Sequence, residues 1–351
     1  MLVNCVFLKG KFMKAKLYTI KDVHADDDKI KKASNIIQNG GLVIFPTETV
    51  YGLGADAFNP VASEKIYSAK GRPSDNPLIL HISDLDMLNK IVKNVPEKAN
   101  KLINQFWPGP LTIIFEKKDI VSDKITGGLN TVAVRMPSNP IALSFIRNAN
   151  TPIAAPSANI SGKPSITRWE DAVEEMGNRV DAILLSEPSE IGLESTIIDL
   201  TQDVPMILRV GKISKTEIEK AIGFTEIDKT IFGEKDIPKA PGMKYKHYSP
   251  NAEVFIASKE NFVEKVKQKY KASPSCNTVI FTMNQNKSYF KDEKVYLLGE
   301  TTLQAAKFFF HFLRKADKEG YDTIIMEDIS FDEIGEAVMN RARKSAGNKY
   351  L

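Results

Sequence analysis

Apolar positions recur along this chain in two rhythms, and the points where one gives way to the other mark its elements. Asp26–Asp28 precede Ile30, Ala33, Ile36 and Ile37, and Gly40-Gly41 follows, which predicts an amphipathic helix with an acidic start and a glycine stop. Leu42–Phe45 predicts a short buried strand ending at Pro46. Asn59-Pro60 opens a second helix, with Asn at the cap and Pro in the first turn. Further strands are expected at Leu78–Ile82, Leu111–Phe115, Val132–Met136, Ile153–Ala155, Ala182–Leu185, Thr196–Leu200 and Met206–Val210. Thr167 with Glu170, and Ser214 with Glu217, have capping-box spacing and predict two more helix starts. Strand and helix patterns mix up to about Gly223, as in one α/β domain.

From Thr225 to Pro250 the rhythm fades, and the stretch carries two glycines and three prolines. It then restarts: strand Glu253–Ile256, helix Lys259–Tyr270, strands Thr278–Thr282 and Val295–Leu298, helix Leu303–Lys315, strand Thr323–Met326, helix Asp332–Lys344. The expected division is an N-terminal extension at 1–13, a first domain at 14–223, a linker at 224–250 and a small α/β domain at 251–351. Met13 stands just before the first patterned residues and is an alternative start.

A length of 351 residues fits two cores better than one. Net charge is +4, from 48 basic and 44 acidic side chains, a bias that suits an anionic ligand such as a nucleotide and is too weak for a duplex-wrapping surface. The two cysteines, Cys5 and Cys276, lack CxxC or His-rich surroundings, which argues against a disulfide scaffold or structural zinc and for a reducing, cytoplasmic setting. No apolar run approaches the ~20 residues of a membrane span. Met1–Leu8 is too short and lacks the basic leader of a signal peptide.

Two nucleotide signatures are mimicked and fail. Ser161-Gly162-Lys163-Pro164-Ser165 looks like the end of a P-loop, but the loop's first glycine would fall at Ser157. Gly52-Leu53-Gly54 follows its strand only after a Pro-Thr-Glu-Thr-Val-Tyr insert and does not open a helix, unlike a dinucleotide fingerprint. The second domain has no glycine-rich turn after its first strand, so no dinucleotide is expected there.

Four segments place polar residues where strands end. In Pro46–Gly54, hydroxyls and glycines allow close approach to a ligand; a tight connection with a satisfied Glu48 is the plainer explanation. In Lys70-Gly71-Arg72-Pro73, a cation pair two residues apart can face one anion, or form a solvated loop; Asn76, Pro77 and His81 follow. In Thr131–Arg135, alternation puts Thr131, Ala133 and Arg135 on one face and the valines toward the core, giving either a polar concavity or a surface ion pair. In Ala154–Ser165, small residues and hydroxyls make a hydrogen-bonding floor, to which Ser195 and Arg209 add a hydroxyl and a guanidinium from later strands.

Taken together, Lys70-x-Arg72 and Ser157-x-Asn159, set within PTETVYGLG, APSANISGKPS and STIID, closely resemble the threonylcarbamoyl-AMP synthase family with its YrdC-type domain. The resemblance spans roughly Lys14 to Gly223. The remainder resembles the family's long form: Lys239–Pro250 is similar to its basic, aromatic linker, and Ile334–Arg341 to the last helix of its added Rossmann-like domain. Glu48 stands where some relatives carry Asp. The implied fold is α/β, a twisted open mixed sheet with helices around a concave cavity, plus the small Rossmann-like domain. The implied reaction joins L-threonine, bicarbonate and ATP into L-threonylcarbamoyladenylate and pyrophosphate, the first step of forming N6-threonylcarbamoyladenosine at tRNA position 37. By this resemblance Lys70, Arg72, Asn76, Thr131, Ser157, Asn159, Ser165 and Arg209 hold ATP, joined by Lys244, His247 and Tyr248 of the linker acting as a lid. Lys70, Arg72, Ser157 and Asn159 form its catalytic core, and Thr49, His81, Arg135, Ala155 and Ser195 hold L-threonine. Mg²⁺ is expected with the triphosphate, without a dedicated metal cage in the protein. The product is expected to pass to a tRNA threonylcarbamoyl transferase complex; direct tRNA binding is compatible with this but not required.

Two other readings compete. A carbamoyl-adenylate-forming carbamoyltransferase, as in hydrogenase maturation, would carry acylphosphatase and zinc-finger modules, and none is visible. A non-enzymatic RNA-binding protein would need a dense basic stripe interleaved with aromatics. Pyrophosphate release that requires ATP, threonine and bicarbonate together separates the three.

Overall fold

A computed structural model describes residues 14–229, 247–272 and 277–351. The expected extension at 1–13, both cysteines, and linker residues 230–246, including Lys239, Gly242 and Lys244, lie outside the described residues. The first sheet is formed by β1 (Lys16–Thr19), β2 (Val43–Phe45), β3 (Gly52–Asp56), β4 (Ile79–His81), β5 (Leu111–Glu116), β6 (Thr131–Arg135), β7 (Ile153–Ala155), β8 (Ala182–Leu185), β9 (Thr196–Asp199), β10 (Met206–Arg209) and β11 (Glu226–Ile227). Its spatial order is β1-β8-β2-β3-β7-β4-β6-β5-β9-β10-β11, with parallel and antiparallel pairs mixed. A second, all-parallel sheet is formed by β12 (Glu253–Ala257), β13 (Thr278–Thr282), β14 (Val295–Leu297) and β15 (Thr323–Glu327), in the order β12-β15-β13-β14. The α/β class, with a mixed sheet and a small parallel α/β unit, is as expected.

The alternation read in β6 sorts its side chains as predicted, and β4 beside it follows the same rule. Leu78, Leu80, Ile82, Val132 and Val134 join the main core. Ile79 and Ala133 lie on the other face, in a small cluster with Ile114, Ile197 and Leu208. Only a thin apolar layer covers that second face, which leaves the rest of it to polar groups.

Several elements differ from expectation. Gly52–Asp56 is a buried strand paired with β2, although its sequence suggested a ligand loop. Its glycines are dictated by packing: a Cβ on Gly52 would lie 3.0 Å from the Phe45 ring, and one on Gly54 would lie 2.7 Å from Ile153. The helix expected to start at a Thr167 cap spans Trp169–Met176, with Arg168 at the cap position and no side-chain cap bond. The reciprocal box at Ser214 and Glu217 is present, and a second, at Thr301 and Gln304, opens helix Thr302–Lys318. Helix Pro140–Ala149, which the sequence reading missed, carries an Asn139 cap and a first-turn proline.

Helices Thr302–Lys318 and Glu333–Ala346 cover one face of the second sheet and dock on the first domain. Val50, Ile191 and Leu193 share one apolar cluster with Ala306, Phe309, Phe310 and Ala337. Arg314 donates to the carbonyl of Ser165 (3.2 Å) and to that of Pro164, and pairs with Glu175 at 2.9 Å. Gly192, at φ +78°, sits so close that an added Cβ would lie 2.6 Å from Ala306 O and 2.6 Å from Lys307 Cα.

Gly192→Ala should therefore destabilise the chain by about 2 kcal/mol or more, through both the left-handed backbone and the clash with a helix. Thermal unfolding of the variant should show a midpoint roughly 5 °C lower. An unchanged midpoint would mean that the helix yields freely and that the close docking contributes nothing.

Candidate active site

The polar residues of the sequence segments converge where strands end on the sparsely covered face. Parallel pairing of β4 and β6 sets His81 beside Arg135, and antiparallel pairing of β4 and β7 sets Ile79 opposite Ala155. Arg135 is buried, 3% exposed, and donates from Nη1 to Thr49 Oγ1 (2.8 Å), from Nη2 to Glu48 Oε1 (2.6 Å) and from Nε to Gly109 O (3.2 Å). The two alternatives for this arginine thus merge: it forms an ion pair, but inside a cavity. Three of its five N–H groups are engaged, so each terminal nitrogen keeps one for a ligand. Ser195 Oγ shares a 2.7 Å hydrogen bond with Thr112 Oγ1 and accepts one from Arg209 Nη2 at 3.0 Å, while Arg209 Nε donates to Ser195 O at 2.9 Å. The His81 ring stands edge-on to Phe45, 5.8 Å between centroids. Burial, reinforced by the charge of Arg135, lowers its pKa to about 3, so it is a neutral imidazole at ordinary pH.

Helix Pro60–Lys70 stops at Gly71, whose φ of +60° makes a left-handed cap. That abrupt stop puts Lys70 on the cavity side, where Nζ donates to the carbonyl of Ser157 (2.5 Å) and to that of Asn159. Ser157 Oγ in turn donates to Asn159 Oδ1 at 2.6 Å, and Asn159 Nδ2 donates to the carbonyls of Ile160 and Lys163, each at 2.8 Å. The KxR and SxN pairs, about 87 residues apart by Lys70 and Ser157, are therefore one structure. Arg72 donates from Nη2 to Pro77 O at 3.1 Å. Burial and the neighbouring Arg72 charge hold Lys70 well below the usual lysine range, and burial lowers Arg72 and Arg209 to about 10. Both arginines remain cationic at neutral pH.

One open cavity gathers most of the predicted residues. Thr49, His81, Arg135, Ala155 and Ser195 line it, as do Lys70, Arg72, Ser157, Asn159 and Arg209. His247 and Tyr248, at the end of the linker, line it as well. Asn76, Thr131 and Ser165 are not among its walls; Ser165 lies behind, donating to Glu194 Oε1 at 2.5 Å. Lys244 lies outside the described residues. Sequence reasoning did not single out Thr112, which holds Ser195, or Glu194, which lines the cavity, and it gave Glu48 no role beyond a connection. A buried Thr inside the apolar run of β5 and an acid next to a predicted site serine were the available signals. Tyr248 has φ +62°, uncommon for a tyrosine. Its carbonyl accepts from Ser345 Oγ at 2.7 Å, and Ser249 N donates to Gly162 O at 2.8 Å. Among the described residues, no cluster of three or more His, Cys, Asp or Glu could hold a metal, and no helix is long and apolar enough to cross a membrane.

Comparison with known proteins places this geometry. The family described as telomere recombination, Sua5–YciO–YrdC, matches residues 35–211, and the threonylcarbamoyl-AMP synthase C-terminal domain matches residues 213–347. The threonylcarbamoyl-AMP synthase of Pyrococcus abyssi is 45% identical over 329 residues, covering 92% of this chain and 95% of that protein. The chain belongs to the threonylcarbamoyl-AMP synthase family. That of Bacillus subtilis is 41% identical, over 94% of this chain and 96% of its own length. The crystal structure of P. abyssi Sua5 complexed with L-threonine superposes with a TM-score of 0.88 at 41% identity, covering 95% of this chain and 98% of that one. The chain is thus an enzyme of the family's long form, with the function of a threonylcarbamoyl-AMP synthase.

The neutral state of His81 has a measurable consequence. Between pH 6.5 and 3 the unfolded chain protonates this imidazole while the folded one does not, so stability falls as pH drops through that window. At pH 5 the His81 share of that loss is about 2 kcal/mol relative to pH 7. Urea unfolding at both pH values should show His81→Gln losing less stability on acidification than the unsubstituted chain. Equal losses would mean that the histidine is solvated.

Proposed function

We propose that the cavity binds ATP on its Lys70, Arg72, Ser157, Asn159 and Arg209 side and L-threonine on its Thr49, His81, Arg135, Ala155 and Ser195 side, and joins them through bicarbonate. The observation that carries this reading is the excess of buried positive charge. Lys70, Arg72, Arg135 and Arg209 line one cavity, against a single lining carboxylate among the described residues, Glu194. A triphosphate supplies the missing negative charge, and family membership supports the same assignment.

The chemistry follows from the groups present. The free N–H on each terminal nitrogen of Arg135 suits the two oxygens of an amino-acid carboxylate. The Ser195 and Thr49 hydroxyls and the neutral His81 can pair with the substrate hydroxyl, and Ala155 leaves room for its methyl. The threonine amine, once deprotonated, takes up bicarbonate with loss of water to form a carbamate. A carbamate oxygen then attacks the α-phosphorus, and the bond to the bridging oxygen breaks as pyrophosphate departs. Arg72, Arg209 and the third N–H of Lys70 stabilise charge on the phosphates as that bond breaks. A protein nucleophile is not required. Both Glu194 oxygens are already engaged, by Ser165 and Arg341, and Mg²⁺ enters with the triphosphate as part of the substrate. His247 and Tyr248 act as the near end of a lid that keeps water from the adenylate. The adenylate then serves a downstream transferase acting on tRNA, in a cytoplasmic setting.

Arg72→Ala should lower threonine-dependent pyrophosphate release about 100-fold or more, the effect of losing one charge-assisted contact to the transition state. Near-normal turnover would remove Arg72 from the phosphate site. Valine in place of threonine should be a far worse substrate than serine, because valine leaves buried hydroxyl partners unpaired while serine lacks only a methyl. Equal use of valine and threonine in the same assay would refute the hydroxyl recognition.

A further inference from the structure

Glu194 lies between arginines of two different domains. Its Oε2 accepts from Arg341 Nε at 3.3 Å, and Arg341 belongs to helix Glu333–Ala346 of the second domain. One residue further along the first domain, Ser195 holds Nε and Nη2 of Arg209 through neutral oxygens. Arg341 Nη1 also donates to the carbonyls of Val210, directly after Arg209, and Ala337. Arg341 thus grips the neighbours of both Ser195 and Arg209.

Arg341 is not placed as stability alone would place it. It is fully buried, at 0% exposure, yet its Nη2 has no hydrogen-bond partner among the described residues. A buried guanidinium with an unmet N–H is a costly way to join two domains, and an apolar side chain of that size would serve as well. Its charge is what an apolar side chain could not supply. Burial opposes ionisation of Glu194, and Arg341 and Arg209, with the Ser165 hydroxyl, more than offset it, so the carboxylate stays ionised. An ionised carboxylate beside Arg209 would compete with any phosphate for that guanidinium.

We propose that Arg341 is a positioning residue for nucleotide binding: by holding Glu194, it leaves the positive charge of Arg209 available to the cavity. The second domain then completes the phosphate site from behind without touching ATP. This rests on the reading that Arg209 contacts the nucleotide.

The test is steady-state pyrophosphate release by the full chain with ATP varied at saturating threonine and bicarbonate. Arg341→Met should raise KM for ATP about tenfold with kcat within about threefold, because freed Glu194 turns to Arg209. Arg341→Met combined with Glu194→Gln should bring KM for ATP back to within about threefold of the original, since no carboxylate is left to compete. An interdomain tie with no electrostatic role predicts the double variant to be as impaired as the single, and that result overturns the proposal, as does an unchanged KM in Arg341→Met. If the single variant does not fold, the double variant, which strands no buried charge, decides alone: a near-original KM supports the proposal and a tenfold rise overturns it. Arg209→Ala separates the two levels. A raised KM for ATP there, with none in Arg341→Met, sinks only the proposal; no change in Arg209→Ala overturns the nucleotide reading and the proposal together.

Discussion

Burying more positive than negative charge on one face of a sheet is the constraint around which this molecule is arranged. Moving a cation out of water costs several kcal/mol even after relaxation. Lys70 and Arg72 meet that cost with backbone carbonyls, and Arg209 with a carbonyl and a hydroxyl. Carbonyls solvate a cation without cancelling its charge. Arg135, by contrast, is paired with Glu48. The uncancelled charge of the cavity thus gathers at its Lys70, Arg72 and Arg209 end, while the Arg135 end is balanced by Glu48.

Keeping those cations uncancelled explains features that otherwise look unrelated. Lys70 must reach the loop after β7, so its helix ends in a left-handed glycine. That loop must hold still, and Arg314 of the second domain fixes it from behind through the carbonyls of Pro164 and Ser165. Glu194 fixes Ser165 from the same side and is itself held by Arg341. The second domain thus reaches the loop after β7 and the Arg209 strand through two buried arginines.

How much of this could be read in the sequence follows from the range of the interactions. Local signals carried far: the two-residue alternation sorted β6 correctly, and glycines and prolines flagged the Lys70–Pro73 and Ala154–Ser165 segments. Strand β3 was lost because a Gly-Leu-Gly run has no alternation to detect; its glycines answer to the Phe45 ring, which only the fold brings near. Partnerships between Arg135 and Glu48, 87 residues apart, and between Arg341 and Glu194, 147 apart, leave no local trace. The sequence named cations as ligand contacts but could not reveal that many of their N–H groups are engaged with the protein itself.

The end of the linker shows how the mouth of the cavity and the domain interface become a single element. Tyr248 holds a left-handed backbone that costs a non-glycine residue of order 1–2 kcal/mol, and such strain persists only where the surroundings impose it. The imposing contacts come from both bodies: Ser345 of the second domain binds the Tyr248 carbonyl, and Gly162 of the first accepts from the next amide. The Tyr248 ring packs on Phe310 at 5.2 Å while lining the cavity. The mouth of the cavity and the domain interface therefore share one residue, whose backbone is held from both sides and whose ring touches both.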